Sequence, residues 1–368
     1  MNIEKVTLRH VRVPLVELFK ISSGQVEVKD GILVSVHSSG LVGCGEASPM
    51  AGSFYSEDTP ESTWDELSTT LIPDLLKHKE GTLDELCDLI AASPCNPFAR
   101  AGVETALWDL EAQIKQVPLC VLLGSLPRPV ESGFAAGIYP THKELLSAIE
   151  SHMKEGYKRI KIKIAPGWDI RPLRHVRSAF GDFPLMVDAN CAYGREDIPQ
   201  LERLDDFFLE MIEQPLPKDD LEGHALLASK MMTPICLDES AKDLETVRKA
   251  ISMNACSIVN IKIQRVGGLR EAKRIHDLCD EEGVPVWAGT MPELGIGGVQ
   301  TLHLATLGNF QFPTDVQASE RWFVDDIITP LIKVDKGFIK IPEGVGNCYA
   351  LNEEAVRRFL IQETEHHP

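Results

Sequence analysis

Lys163, Asp188, Glu213, Asp238 and Lys262 stand along the chain at intervals of 25, 25, 25 and 24 residues. Three carboxylates brought together would make a hard, all-oxygen donor set. Such a set, with no Cys or His in it, favours Mg²⁺ or Mn²⁺ over Zn²⁺. Two amines beside it could move protons. Taken singly, each acid reads more readily as a solvated loop-start or helix N-cap residue. Equal spacing, with a lysine at either end of the series, is what argues otherwise.

The interval has a structural meaning. A strand and its return helix take about 25 to 30 residues. Each of the five residues closes a short apolar run, so each falls where a strand ends and its loop begins. In a (β/α)₈ barrel all such ends meet at one face, where the chemistry sits. From Glu131 onward the chain reads as strand–helix alternation. The expected strands are 133–138, 159–164, 185–188, 208–213, 234–238, 257–262, 285–289 and, least regular, 310–315. Residues 2–48 read as three strands, 3–13, 31–37 and 41–46. Phe19–Gly24 is too polar and glycine-marked to count as strand. Helices are expected over 61–76, 82–92 and 97–115. The tail, 328–360, reads as two short strands and a helix. The expected organisation is therefore an α/β protein with an α+β capping domain (1–125), a TIM-like barrel (126–320), and a C-terminal segment (321–368) packing back on the cap.

With 368 residues, 43% hydrophobic and 25% charged, the chain can bury a large core. A net charge of −18 argues against nucleic acid and against anionic membrane surfaces. Nine cysteines occur with no CxxC pair, which reads as reduced thiols. Cys191 and Cys236 lie near the acidic residues but are given no catalytic role. The N-terminus lacks the apolar core of a signal peptide, and no stretch approaches the ~18 apolar residues of a membrane span. A cytoplasmic location is expected.

The lysines sharpen the chemistry. Strands two and six of an eight-stranded barrel are opposed, so Lys163 and Lys262 should point inward from opposite sides. A small-molecule carboxylate held at the metal would have its α-carbon between two amines. One amine can take the α-proton while positive charge steadies the enediolate. Neighbouring cations should depress the amine's pKa enough to leave some of it neutral near pH 7. Lys161 shares the face of Lys163 and should add to that effect. In Arg159-Ile-Lys-Ile-Lys-Ile164 the outward positions should be apolar, which turns both lysines inward.

Five motifs then resemble the enolase superfamily in its muconate-cycloisomerase-like subgroup. They are Lys161-Ile-Lys163, Val187-Asp188-Ala-Asn190, Glu213-Gln-Pro-Leu216, Asp238-Glu239-Ser240 and Asn260-Ile-Lys262. The pairing of a lysine base with Mg²⁺ is a known feature of that superfamily. Further segments resemble its o-succinylbenzoate synthase and N-acylamino acid (N-succinylamino acid) racemase branch. These are Lys262-Ile-Gln-Arg265-Val-Gly-Gly268, Met291-Pro-Glu-Leu-Gly295-Ile-Gly297, Pro313-Thr-Asp-Val-Gln-Ala-Ser319 and Ser53-Phe-Tyr-Ser56. Leu294 departs from the threonine usual in that branch, and Pro313-Thr-Asp315 departs from its Pro-Gly-Asp turn.

The resemblance implies residue roles. Asp188, Glu213 and Asp238 would bind Mg²⁺, with Mn²⁺ an alternative. Lys163 would remove the α-proton and help expel a β-hydroxyl, with Lys262 acting from the other face. In racemisation both would exchange protons. Lys161, Asn190, Arg265 and Met291 would contact the substrate. Arg265 could equally be a helix-start residue bonding a neighbouring carboxylate. Glu239 would pair with Lys262 or support it from behind. Capping loops 19–25 and 51–58 would close over the mouth, with Phe19, Phe54 and Tyr55 gripping the acyl end. Ordinary domain packing explains any one of those aromatics as well. The implied activity is o-succinylbenzoate synthesis in menaquinone biosynthesis, with N-succinylamino acid racemisation beside it. Dipeptide epimerase or muconate cycloisomerase activity is the alternative, and a non-enzymatic scaffold the remaining one. A homo-oligomer is expected from the family alone.

Overall fold

The structure, a computed structural model, describes residues 1–21, 24–52, 56–78 and 80–368. β1 (Lys5–Lys20) and β2 (Gln25–Ser38) form a long antiparallel hairpin, and β3 (Leu41–Ala47) continues it. The expected loop at Phe19 is therefore partly strand. Phe19 pairs with Val26 and Lys20 with Gln25. The helix Pro97–Ile114 lies across this sheet. A Cβ on Gly43 or Gly45 would come within 2.2 Å of the backbone oxygen of Ala106 or Gly102, so close approach is what fixes both glycines. The expected helix over 61–76 is interrupted by a widened π turn, Leu67–Leu71. Pro73, which follows it, has no N–H for the regular ladder.

The barrel begins after β4 (Val130–Glu131). Its strands are β5 (Phe134–Ala136), β6 (Ile160–Lys163), β7 (Leu185–Asp188), β8 (Ile212–Glu213), β9 (Ile235–Leu237), β10 (Ile258–Ile261) and β11 (Val286–Ala288). They form a parallel sheet ordered β11-β10-β9-β8-β7-β6-β5. The eighth place is held by an irregular segment. Phe310 bridges to Val286 and Thr314 to Ser132, while Asp315 N–H donates to the Ala288 carbonyl at 3.1 Å. Pro313 cannot donate to a ladder, which accounts for the broken strand. The expected fourth strand is also shorter: Phe208 has φ +50° and is 82% exposed, because the 3₁₀ turn Glu202–Phe207 ends there.

The tail supplies β12 (Ile328–Thr329), β13 (Phe338–Ile339), β14 (Ala350–Leu351), the helix Glu353–Phe359 and β15 (Leu360–His366). β13 pairs with β4, and β15 pairs with β1 to complete the order β15-β1-β2-β3. β15 is an edge strand with a largely exposed, polar sequence, so it carries little apolar alternation to read. Two buried carboxylates join cap to barrel. Glu46 accepts from the N–H groups of Leu294 and Gly297, both at 2.8 Å, at the start of helix Gly295–Leu304. Glu104 accepts from those of Leu269 and Arg270 at the start of helix Leu269–Glu281. Each places negative charge on the positive end of a helix.

Candidate active site

The barrel interior is layered by strand alternation. Met186, Met211, Cys236, Ile258 and Trp287 pack together inside it. Two residues further along their strands, Asp188, Glu213, Asp238 and Asn260 point the same way, toward the carboxyl ends. Register fixes the row: Lys163 lies beside Asp188, and Asp188 beside Glu213. All three carboxylates are at most 1% exposed.

Cationic side chains face each carboxylate. Lys163 Nζ donates to Asp188 Oδ2 at 2.6 Å and to Asn190 Oδ1 at 2.8 Å. Lys161 Nζ donates to Glu213 Oε2 at 3.1 Å and to Asp315, and lies 3.6 Å from Asp188 Oδ2. Lys262 Nζ donates to Asp238 Oδ2 at 2.7 Å. Arg265 donates to the other oxygen of Asp238, to the Asn260 carbonyl, and to the Ala241 carbonyl at 3.0 Å. Arg265 thus takes the carboxylate-bonding position, sharing Asp238 with Lys262.

Charge balance differs along the row. Burial alone would raise the Asp188 carboxyl, but Lys163 and Lys161 hold it well below the usual range. Burial is likewise outweighed at Asp238, by Lys262 and Arg265. Glu213, in the middle, goes the other way. Burial and the charges of Asp188 and Asp238 push its pKa up against the pull of Lys161. Lys161 is raised: burial works against its charge, and Asp315, Glu213 and Asp188 together outweigh that.

Glu239 does not bond Lys262. Its Oε1 accepts from Asn190 Nδ2 at 3.0 Å. Burial and repulsion from Asp238 and Asp188 raise its pKa to about 7. Asn190 has φ +45°, and its N–H donates to Asp188 Oδ1 at 3.0 Å. That backbone turn lets one residue touch Asp188, Lys163 and Glu239.

Lys161, Lys163, Lys262, Asp315, Phe19, Thr290, Pro292, Gln317 and Trp322 line one cavity of about 40 Å³. Phe19 meets Trp322 edge to face with centroids 4.9 Å apart. Met291 is 2% exposed, belongs to the hydrophobic core cluster and does not line this cavity. Its neighbours Thr290 and Pro292 take the inward positions. Phe54 and Tyr55 lie outside the described residues.

Three residues that stand in the quoted motifs without an assigned role also belong to the site. Asn260 Nδ2 donates to Glu213 Oε1 at 2.7 Å. Period-two alternation with Lys262 was the available signal. Asp315 bonds Lys161 and the fully buried Arg159, but lies in the irregular eighth segment where alternation cannot be read. Gln214 Oε1 accepts from the N–H groups of Asp238 at 2.9 Å and Ser240 at 3.1 Å, tying one strand end to the next.

The donor chemistry fits a hard divalent cation. Three buried carboxylates stand on neighbouring strand ends, and burial together with repulsion from Asp188 and Asp238 raises Glu213 against the pull of Lys161 and Lys262. Among the described residues no group of three or more carboxylates, histidines or cysteines is arranged to hold a metal ion, and each of these acids bonds an ammonium, guanidinium or amide.

Sequence comparison decides the family. Residues 3–124 match the mandelate racemase/muconate lactonizing enzyme N-terminal domain, and residues 144–355 match the enolase C-terminal domain-like family. The chain belongs to the enolase superfamily. Within that superfamily it is 46% identical to an o-succinylbenzoate synthase from Geobacillus kaustophilus, over 98% of this chain and 96% of the relative. It is 41% identical to an N-succinylamino acid racemase from Amycolatopsis, over 94% of each. A solved enolase-superfamily protein from Listeria innocua superposes with a TM-score of 0.95 at 34% identity, covering 100% of this chain and 99% of that one. A dipeptide epimerase from Enterococcus faecalis, solved with Mg and a dipeptide, gives 0.87 at 27% identity over 95% and 100%.

Proposed function

We propose that the protein is a Mg²⁺-dependent o-succinylbenzoate synthase that also racemises N-succinylamino acids. The observation that carries this reading is one cavity lined by Lys161, Lys163 and Lys262 beside three buried carboxylates. Asp188, Glu213 and Asp238 would hold the cation, and Mn²⁺ shares the same oxygen ligation. When bound, it supplies Lewis-acid charge that favours ionisation at the substrate's α-carbon.

Lys161 and Asn190 orient the substrate carboxylate. Lys163 takes the α-proton onto Nζ, and the electron pair left on carbon expels the β-hydroxyl. The proton from Lys163 leaves with it as water, and the ring becomes aromatic. Lys262 stays protonated on the opposite side and stabilises negative charge. In racemisation Lys262 instead delivers its proton to the opposite face. Glu239 acts through Asn190, which it shares with Lys163. The second activity is favoured by the presence of both lysines in one cavity, because a dehydration needs only one of them as base.

The test is direct. Purified protein is assayed for dehydration of the succinyl cyclohexadiene hydroxy-carboxylate, for racemisation of N-succinylamino acids, and for epimerisation of dipeptides. Turnover of dipeptides with neither succinylated substrate converted would replace this reading with the epimerase one.

A further inference from the structure

Gln317 is 2% exposed, yet neither its Oε1 nor its Nε2 has a hydrogen-bond partner among the described residues. Its side chain lines the cavity that holds Lys161, Lys163 and Lys262. Buried polar groups in folded proteins are nearly always paired, and leaving an amide unpaired is destabilising. The charged groups of the cavity are committed. Lys161 and Lys163 bond Asp315, Glu213, Asp188 and Asn190, and Lys262 bonds Asp238. Phe19 and Trp322 supply apolar surface to the same lining. The cavity lining thus combines charged groups, two aromatic rings and one open amide.

We infer that Gln317 is a specificity-determining residue whose Nε2 donates to an oxygen of the substrate's acyl tail. This rests on the proposed function, which supplies an acylated carboxylate as the ligand. The reacting carboxylate belongs with the ammonium groups. The tail then runs along Phe19 and Trp322, which cover its methylenes, and its oxygen reaches the amide. A site that hydrogen-bonds a substrate group discriminates strongly against an analogue lacking it, because its own polar group is then left unpaired.

The experiment compares wild type, Gln317→Met and Gln317→Glu. Met keeps the shape without the donor, and Glu adds a repelling charge. Direct binding of o-succinylbenzoate is measured by calorimetry, alongside KM and kcat for N-succinyl and N-butyryl amino acids. Gln317→Met should weaken o-succinylbenzoate binding and raise KM for the N-succinyl substrate about 10- to 100-fold, with kcat changed less. Gln317→Glu should be weaker still. A loss confined to N-succinyl substrates assigns the oxygen to the terminal carboxylate. An equal KM rise for N-butyryl substrates assigns it to the acyl carbonyl. Thermal unfolding identifies a variant that fails to fold, in which case the other carries the test. Variants within twofold of wild type in affinity and KM would overturn the inference, as would a fall in kcat alone. Wild type that neither binds o-succinylbenzoate nor turns over a succinyl substrate would instead sink the functional reading.

Discussion

Lys163 and Asp188 are register partners on β6 and β7, and Lys163 Nζ donates to Asp188 Oδ2 at 2.6 Å. The pairing places a candidate base directly against a candidate metal ligand. A cation taking the Asp188 carboxylate would compete with Lys163 for that oxygen. Binding the metal and freeing the amine are therefore linked through one carboxylate.

That linkage makes metal removal informative. Chelation should abolish both activities, and Mg²⁺ or Mn²⁺ should restore them. The cation should also raise the unfolding temperature, because it binds only the folded state. Asp188→Asn should lose most of that thermal response while still folding. Full activity in protein shown by elemental analysis to be metal-free would refute the assignment.

Arg265 and Lys262 share Asp238, so a neutral replacement of Arg265 should change how Lys262 is held. Racemisation needs Lys262 as a proton-transfer group, whereas dehydration needs only its charge. Arg265→Gln should therefore depress racemisation more than dehydration. Equal losses in the two assays would assign Arg265 to folding or general binding.

How much of this was legible follows from how each residue is specified. The five spaced charges were readable because a parallel barrel repeats one unit, and β7 ended at Asp188 as expected. Asn260 stands in the quoted Asn260-Ile-Lys262 motif, and period-two alternation with Lys262 turns it inward, although the motif alone assigns it no partner. Asp315 stands in a quoted motif, but its inward direction is not readable there, since the segment around Pro313 has no strand period. Met291 does not line the lysine cavity, and motif position alone says nothing of side-chain direction in a non-helical loop. β15 was missed because an exposed edge strand need not be apolar. The two capping carboxylates were silent as well: what Glu46 and Glu104 do depends on helix ends more than 160 residues away.

Asp109 offers a pH-dependent test of cap stability. It accepts from the Cys44 N–H at 2.8 Å, from the Asn347 N–H at 2.6 Å and from Gln113 at 3.1 Å. Burial outweighs these bonds and raises its pKa to about 6. For an acid whose folded pKa is raised, the folded state holds the proton more tightly. Its contribution is then fully favourable below the unfolded value and is lost as pH climbs to about 6. Within that window each step of one pH removes about 1.4 kcal/mol. The stability difference between wild type and Asp109→Asn should therefore drift against wild type from about pH 4 to about pH 6, then level off. A difference independent of pH across that window would show that Asp109 does not titrate there.

Lys163 and Lys262 stand at the ends of β6 and β10, with three strands between them in the sheet, and face one cavity. Each should therefore serve one face of the α-carbon. Lys163→Ala should abolish α-proton exchange with solvent deuterium from one enantiomer of an N-succinylamino acid, and Lys262→Ala from the other. Racemisation requires both, so either change should stop it. Dehydration should depend on Lys163 for proton transfer and on Lys262 through charge. Losing a positioned base typically costs ~10²–10⁴-fold, and more where its charge also steadies the enediolate. The enantiomer-specific pattern separates this from simple damage to the fold, which would slow both exchanges together. Should both variants still exchange both enantiomers at wild-type rates, neither lysine is the base, and the two-face mechanism fails even if the metal site stands.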